Sequence, residues 1–493
     1  MISLLKKAGL TVCLFFLFHS TNAIDQVWKF DAELEKAYQL ILNLQTDQAH
    51  SKILQLKGKT NEMHRLYVQS LCETVDVLIT EDDQKFESID SQFKTRLKSL
   101  ENGKQSPETL FLRAELNLQR GFNFLNLGQE LNAVWAIREA YNVTQECLAL
   151  DPNFIPIKKT SGVIQVMLGS VPDKFHWFIS LLGMKGSVKL GQKQLMDLGN
   201  SKSSLGIEAN ILFFTIKGFI NQQVEESTNG FQQLLTKSPG NRLLLFLTVN
   251  MLMKNSESEE ALKLIREIDS QSQGLAIYYM EYLKGEILLQ RGEYPAAIQA
   301  YQKFIATYKS QNFKKDSYYK ISLCYFLQRK TEEAKLNFEK AKKTGREVAE
   351  PDVYAAAQLK DGAFPNAKIL KVRLYTDGGY YKEAKEMLAT ITPADLTGLK
   401  DQTEYYYRKA RLAHKTNDIS AAKLFYQQAI DMAGQNPWYF APNSYLQLGY
   451  IAQAQSNFPV AKTCFEKALS YKKHEYKASV DSKAKSALEQ LPI

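Results

Sequence analysis

Cysteine, histidine and tryptophan are scarce in this chain of 493 residues, which holds 5, 6 and 4 copies of them. Cys13 lies in the leading segment. Cys72, Cys147, Cys324 and Cys464 are far apart, with no CxxC and no Cys/His spacing, so no zinc ligand set is encoded. They read as small buried apolar side chains. His50, His64, His176, His414 and His474 do not stand at metal-ligand spacing from one another. No GxSxG or HExxH occurs. Gly183-Met184-Lys185-Gly186-Ser187 lacks the spacing and the preceding strand of a phosphate loop. These absences predict a protein that is not an enzyme and needs no metal and no cofactor. Strand-like alternation is scarce. Beyond the first residues no apolar run approaches the roughly 20 residues of a membrane span; Leu243–Met253 is short and contains Asn250. The formal charge of +9 is spread along the chain, not gathered in one basic run. It predicts a solvated surface, no specific nucleic acid, and weak membrane association at most.

What the chain does have is a repeated spacing. Ala297, Ala334, Ala384, Ala422 and Ala461 stand 37, 50, 38 and 39 residues apart. Each is followed four residues on by a large side chain (Tyr301, Phe338, Leu388, Tyr426, Phe465). Seven residues on stand Phe304, Ala341, Ile391, Ala429 and Ala468. A small residue on one helix turn and a large one on the next is the signature of stacked helical hairpins. Tyr445, Leu448 and Ala452 share one face of a preceding helix, and Gly449 permits close approach of its partner. Phe465 is expected to fill the space between hairpins.

The N-terminal half is also helical by pattern. Asp25–Leu56 carries one stripe at helical period, Pro107 opens a helix running to about Gly121, and Leu131–Leu150 forms another, stopped by Asp151-Pro152. Gly162 to Gly199 reads as a hairpin whose glycines let backbones approach. Met1–Ala23 has the form of a secretory leader: Lys6-Lys7, the apolar core Ala8–Phe18, and Thr21-Asn22-Ala23 before Ile24. The expected organisation is a leader at 1–23, an N-terminal helical region at 24–200 and degenerate hairpins at 201–274. The repeat array follows at 275–471, and a lysine-rich capping helix with a solvated outer face at 472–493.

The array resembles tetratricopeptide repeats. Ala136-Ile137-Arg138-Glu139-Ala140-Tyr141, Leu168-Gly169-Ser170-Val171-Pro172, Leu181–Gly186 and Gly191–Leu195 resemble elements of the tetratricopeptide-repeat-protein-39 and inclusion-body-clearance family. The resemblance implies an all-α fold, a right-handed superhelix (α-solenoid) of such hairpins with an atypical helical N-terminal half. It implies a non-catalytic scaffold or adaptor that binds other proteins or peptides in its concave groove. By the repeat convention the groove candidates are Tyr279, Tyr282, Glu286, Tyr319, Asn366, Arg373, Tyr407, Arg411, Asn443 and Tyr450. The Lys and Asn set of a carboxylate clamp is not present at these places. With the leader, this predicts an exported protein of the bacterial periplasm or outer envelope. The alternative is a carbohydrate- or small-ligand-binding helical envelope protein, which would require exposed tryptophans.

Overall fold

The computed structural model describes residues 28–170 and 182–492. The leader, residues 171–181 of the family-like element and the His176-Trp177 pair lie outside the described residues. Twenty-four α-helices and one 3-10 turn, with no strand, make up the described residues. The first eight are α1 (Ala32–Leu42), α2 (Thr46–Gln55), α3 (Glu62–Thr80), α4 (Asp83–Glu101), α5 (Pro107–Asn126), α6 (Glu130–Leu150), α7 (Ile157–Gly169) and α8 (Val188–Gly199). Next come α9 (Gly206–Phe219), α10 (Val224–Lys237), α11 (Arg242–Lys254), α12 (Ser258–Ser270), α13 (Tyr279–Arg291), α14 (Tyr294–Thr307), α15 (Lys314–Leu327) and α16 (Thr331–Lys343). The last are α17 (Glu350–Asp361), α18 (Ala367–Gly378), α19 (Tyr381–Ala389), α20 (Leu399–Lys415), α21 (Ile419–Ala433), α22 (Phe440–Ala454), α23 (Phe458–Ser470) and α24 (Lys477–Gln490). Consecutive helices pair into hairpins and the hairpins stack into a right-handed α-solenoid.

Nine of the hairpins share one turn. Each first helix ends at a residue in the left-handed region: Leu44, Gly128, Gln222, Ser256, Gly292, Arg329, Gly379, Asn417 or Ser456, with φ between 57° and 86°. At eight of them the next N–H returns to a carbonyl five residues back, as Glu293 to Leu288 (2.9 Å) and Asn457 to Ala452 (2.8 Å) do. This satisfies carbonyls that the helix end leaves free. Five residues after each turn residue sits a small side chain with no exposed surface: Ala49, Ala133, Ser227, Ala261, Ala297, Ala334, Ala384, Ala422, Ala461. The ladder read from Ala297 onward therefore runs back to α2. Ile53, Ile137, Phe231 and Ile265, four residues further, are buried as their counterparts Tyr301 and Phe465 are. The 50-residue step from Ala334 to Ala384 contains the unpaired helix α17, which is 12 residues long.

Steric contacts explain the small positions. A Cβ on Gly285 would lie 2.7 Å from the Tyr301 ring, and one on Gly449 would lie 2.4 Å from the Phe465 ring. Phe465 thus packs on Gly449 within its own hairpin, and its buried cluster also takes in Val480, Ala484 and Ala487 of the following helix. The α7/α8 hairpin closes as expected, because a Cβ on Gly191 would meet the Gly162 carbonyl oxygen at 2.3 Å. The stripe across Asp25–Leu56 is carried by two helices, because Leu44 at φ 57° ends the first. The helix begun at Pro107, capped by Ser106, runs on to Asn126. Gly379 combines φ 86° with a Cβ position 2.0 Å from the Ser256 carbonyl oxygen. Gly379→Ala is expected to lose about 1–2 kcal/mol from the left-handed backbone alone, and more from that contact. A lowered midpoint in urea unfolding checks it.

The coil returns upon itself. The Leu275 N–H donates to the Leu44 carbonyl (2.7 Å), Asn312 Nδ2 to Glu81 (2.7 Å), and Arg346 Nη1 to the Leu127 carbonyl (3.0 Å). At the other end α24 reaches the N-terminal half. Ser187 Oγ donates to Glu489 (2.7 Å) and Ser482 Oγ to the Ser170 carbonyl (3.2 Å). The C-terminal helix is therefore a strut between two parts of the coil. The expected free outer face is partly covered, and Val480, Ala484 and Ala487 are buried. Inside the N-terminal half, Lys159 on α7 contacts Glu115 of α5 (2.8 Å) and Glu208 of α9 (2.9 Å). Tyr38 and Tyr67 donate to the same Glu208 carboxylate (3.0 and 2.8 Å).

Candidate functional site: the axial cavity

First helices α13, α15, α18, α20 and α22 face one axis. Together with α17, α24 and the α9–α10 turn, they line an open cavity of about 1490 Å³. Its volume exceeds the roughly 300–1,000 Å³ of most small-molecule sites. Ser486 Oγ of α24 donates to Asn221 Oδ1 (3.4 Å) where the strut meets the α9–α10 turn.

Seven of the ten groove residues named from sequence line this cavity: Tyr282, Glu286, Arg373, Tyr407, Arg411, Asn443 and Tyr450. The other three do not. Tyr279 stacks on Tyr282 with ring centroids 5.3 Å apart and packs against Phe313. Tyr319 is buried beside Phe338, on the helix against which α17 packs. Asn366 caps α18, accepting from the Lys368 and Ile369 N–H groups (3.1 and 3.3 Å), and donates to the Asp395 carbonyl (2.6 Å). The repeat convention places it on the groove side, but the helix terminus engages its side chain.

Most polar groups of the wall pair with one another. Lys320 meets Glu286 (3.0 Å), Arg408 meets Glu404 (2.6 Å) and Arg373 meets Asp377 (3.6 Å). The Arg373 guanidinium also lies over the Tyr354 ring and donates to its hydroxyl. Asn443 Nδ2 donates to the Tyr407 hydroxyl (2.8 Å), and Arg411 to Gln447 (2.8 Å). Tyr282 donates to Asp316 Oδ2 (2.7 Å). Burial, opposed by Lys320 and reinforced by Glu286, pushes the Asp316 carboxyl up to about 7. Burial holds the His414 imidazole down to about 4, with Arg411 and Lys415 adding, so the ring is neutral at pH 7. Two fully buried wall atoms have no hydrogen-bond partner among the described residues: the Tyr450 hydroxyl and Asp316 Oδ1. Orphan polar atoms at a cavity wall are open to an ordered water, an ion or a ligand.

Sequence reasoning missed several wall residues. Glu350 and Tyr354 come from α17, Tyr476 and Lys483 from the tail, and Lys254 from the end of α11. Two signals pointed to them: the oversized step between Ala334 and Ala384, and Ala261 with Ile265 four residues on.

A second hollow of about 640 Å³ lies among α4, α5 and α6, beside Trp135, which is 57% exposed. Cys72, Cys147, Cys324 and Cys464 are free thiols, the first three buried. Among the described residues, no group of three or more His, Cys, Asp or Glu side chains could hold a metal ion, and no helix is long and apolar enough to cross a membrane.

Tetratricopeptide-repeat profiles match residues 252–312, 282–341, 403–436 and 442–475, so the chain carries tetratricopeptide repeats. No curated protein matches the chain. Among solved structures, the human IFIT1 dimer with PPP-AAAA shares 13% identity over 90% of this chain and 95% of its own, with a TM-score of 0.23. The quorum sensor NprR of B. thuringiensis, in complex with its cognate peptide NprX, shares 14% over 81% and 98%, with a TM-score of 0.32. A tetratricopeptide repeat protein from Parabacteroides merdae shares 15% over 60% and 98%, with a TM-score of 0.24.

Proposed function

We propose that this protein is a non-catalytic scaffold that receives an extended segment of another protein in its axial cavity. The observation that carries the reading is the cavity itself: about 1490 Å³, walled by the first helices of five hairpins and holding the unpartnered Tyr450 hydroxyl and Asp316 Oδ1. Tyrosine rings offer area with little entropy to lose, and the Asn and Gln side chains of the wall can meet a peptide's N–H and C=O groups. Export to a bacterial periplasm or outer envelope is part of the proposal. It rests on Lys6-Lys7, Ala8–Phe18 and Thr21-Asn22-Ala23; mature protein beginning at Ile24 is the expected result of N-terminal sequencing. Kinship with the tetratricopeptide-repeat-protein-39 family rests on the residues quoted for it. The carbohydrate alternative is less well supported, since Trp28 is buried and Trp135 stands alone on its hollow.

A random dodecapeptide library selected on the purified protein tests the reading. Selected peptides are expected to lose about tenfold or more in affinity, roughly 1.4 kcal/mol, when Arg411→Ala and Tyr450→Phe are combined. Trp135→Ala, on the other hollow, should leave them unchanged. Equal binding by all three proteins would remove the cavity as the interface.

A further inference from the structure

Three lysines of the cavity wall stand apart from the paired charges described above. Lys254 closes α11, Lys415 closes α20 and Lys483 lies on α24, so elements far apart in sequence bring them to one wall. None of them forms an ion pair among the described residues, where an ion pair means nitrogen and oxygen within 4.0 Å. The Lys254 ammonium lies 5.1 Å over the Phe219 ring. Arg411, beside Lys415, donates to Gln447, a neutral side chain. Partly buried ammonium groups usually find a carboxylate. Here none does, although all three line the same cavity.

We propose that Lys254, Lys415 and Lys483, with the Arg411 guanidinium, form the seat for the carboxylates of an acidic peptide in the axial cavity. The inference rests on the peptide-binding reading and deepens it. Bringing like charges together in a partly desolvated wall is unfavourable, and an anion among them reverses the sign of that interaction. The titration behaviour agrees. Burial lowers the Lys254 ammonium to about 8, with Lys483 and Lys415 adding and Glu350 opposing. Burial lowers Lys415 to about 8, with Arg411 adding and Asp377 and Glu257 opposing. Lys483 is lowered by burial, with Glu350 opposing and Arg411 adding. Of these carboxylates, Asp377 is already engaged by Arg373, and Glu350 and Glu257 stand beyond ion-pair distance of all three lysines.

The rest of the wall favours a peptide over a polyphosphate chain. Glu225, Glu286, Asp316 and Glu350 also line the cavity, so its cationic character is local. A nucleic-acid strand carries a charge at every residue and would be repelled along most of its length. An acidic peptide can set its carboxylates on the lysines and its amides elsewhere.

The test is the same dodecapeptide library, selected in parallel on the parent and on the Lys254→Gln, Lys415→Gln, Lys483→Gln triple variant. The parent is expected to enrich Asp and Glu, and the triple variant to select peptides without that enrichment. A synthetic peptide from the parent selection should bind the triple variant about tenfold more weakly or worse. Its Asp→Asn, Glu→Gln counterpart should bind both proteins alike. Affinity of the acidic peptide should fall between pH 7 and pH 9, as Lys254 and Lys415 lose their protons, and fall less steeply for the triple variant, in which the ionisation of Asp316 still opposes the peptide. Equal acidic content in the two selections overturns this inference and leaves the peptide cavity standing. No peptide from either selection overturns both. Tighter binding of a single-stranded dodecanucleotide than of the best peptide overturns it in favour of nucleic acid. Circular dichroism verifies folding, and the single Lys483→Gln variant, expected to show a partial loss, carries the test if the triple variant is unfolded.

Discussion

Lys159→Met is expected to cost about 3–5 kcal/mol of folding stability, the penalty for leaving a buried charge without its partner. Lys159 is 4% exposed, and its ammonium stands between the carboxylates of Glu115 and Glu208, which are 1% and 8% exposed. Those carboxylates are held in turn by the hydroxyls of Tyr38, Tyr67 and Thr160. The set joins α1, α3, α5, α7 and α9, so its loss loosens five helices at once. Methionine is close to lysine in length and apolar, so the expected loss is electrostatic, not a cavity effect. Adding Glu115→Gln and Glu208→Gln to Lys159→Met should restore much of the stability, because no ion then remains to be desolvated. Urea midpoints of the single and triple variants measure both. A single variant as stable as the parent would mean that water reaches this network.

Phe465→Ala should cost about 3–5 kcal/mol, the range for large-to-small changes in a packed core. The ring is wholly buried, and it occupies space that only the missing side chain of Gly449 leaves open. This predicts a coupling between the two positions. Gly449→Ala in the parent drives a methyl group into the ring and should destabilise. In the Phe465→Ala background the same methyl group partly refills the hole and gains about 1 kcal/mol of helix propensity. Leu424→Ala, at a residue 56% exposed, should change little. Thermal melts of the four proteins form a double-mutant cycle, and simple additivity would place Phe465 elsewhere than on Gly449.

The hairpins were legible because their determinant is local and steric. A small residue with a large one four places on puts both on one helix face, whatever the rest of the chain does. The same rule holds at Ala49, Ala133, Ser227 and Ala261, where the mark is fainter because a serine replaces the alanine or an isoleucine the aromatic found at Tyr301, Phe338, Tyr426 and Phe465. The turns were less legible. Gly292, Gly379 and Asn417 carry residues that a left-handed turn favours, but Leu44, Arg329 and Ser456 take the same φ without that mark. There the stacked helices on either side impose the conformation.

Of the cavity, the residues on first helices could be named in advance, since hairpin register decides which way a first helix faces. Tyr407, Arg411 and Tyr450 follow from it, whereas Asn366 shows that a helix terminus can claim a groove side chain. The helical period, the hairpin unit and the inward face of the repeats are written in the order of residues alone, because all of them depend on contacts between residues close along the chain. The curl of the whole coil alone settles that an open cavity lies along its axis, that α17 and α24 supply part of its wall, and that Lys254, Lys415 and Lys483 all line it. That outcome depends on superhelical pitch, the sum of small rotations over many hairpins, and no local pattern encodes a sum.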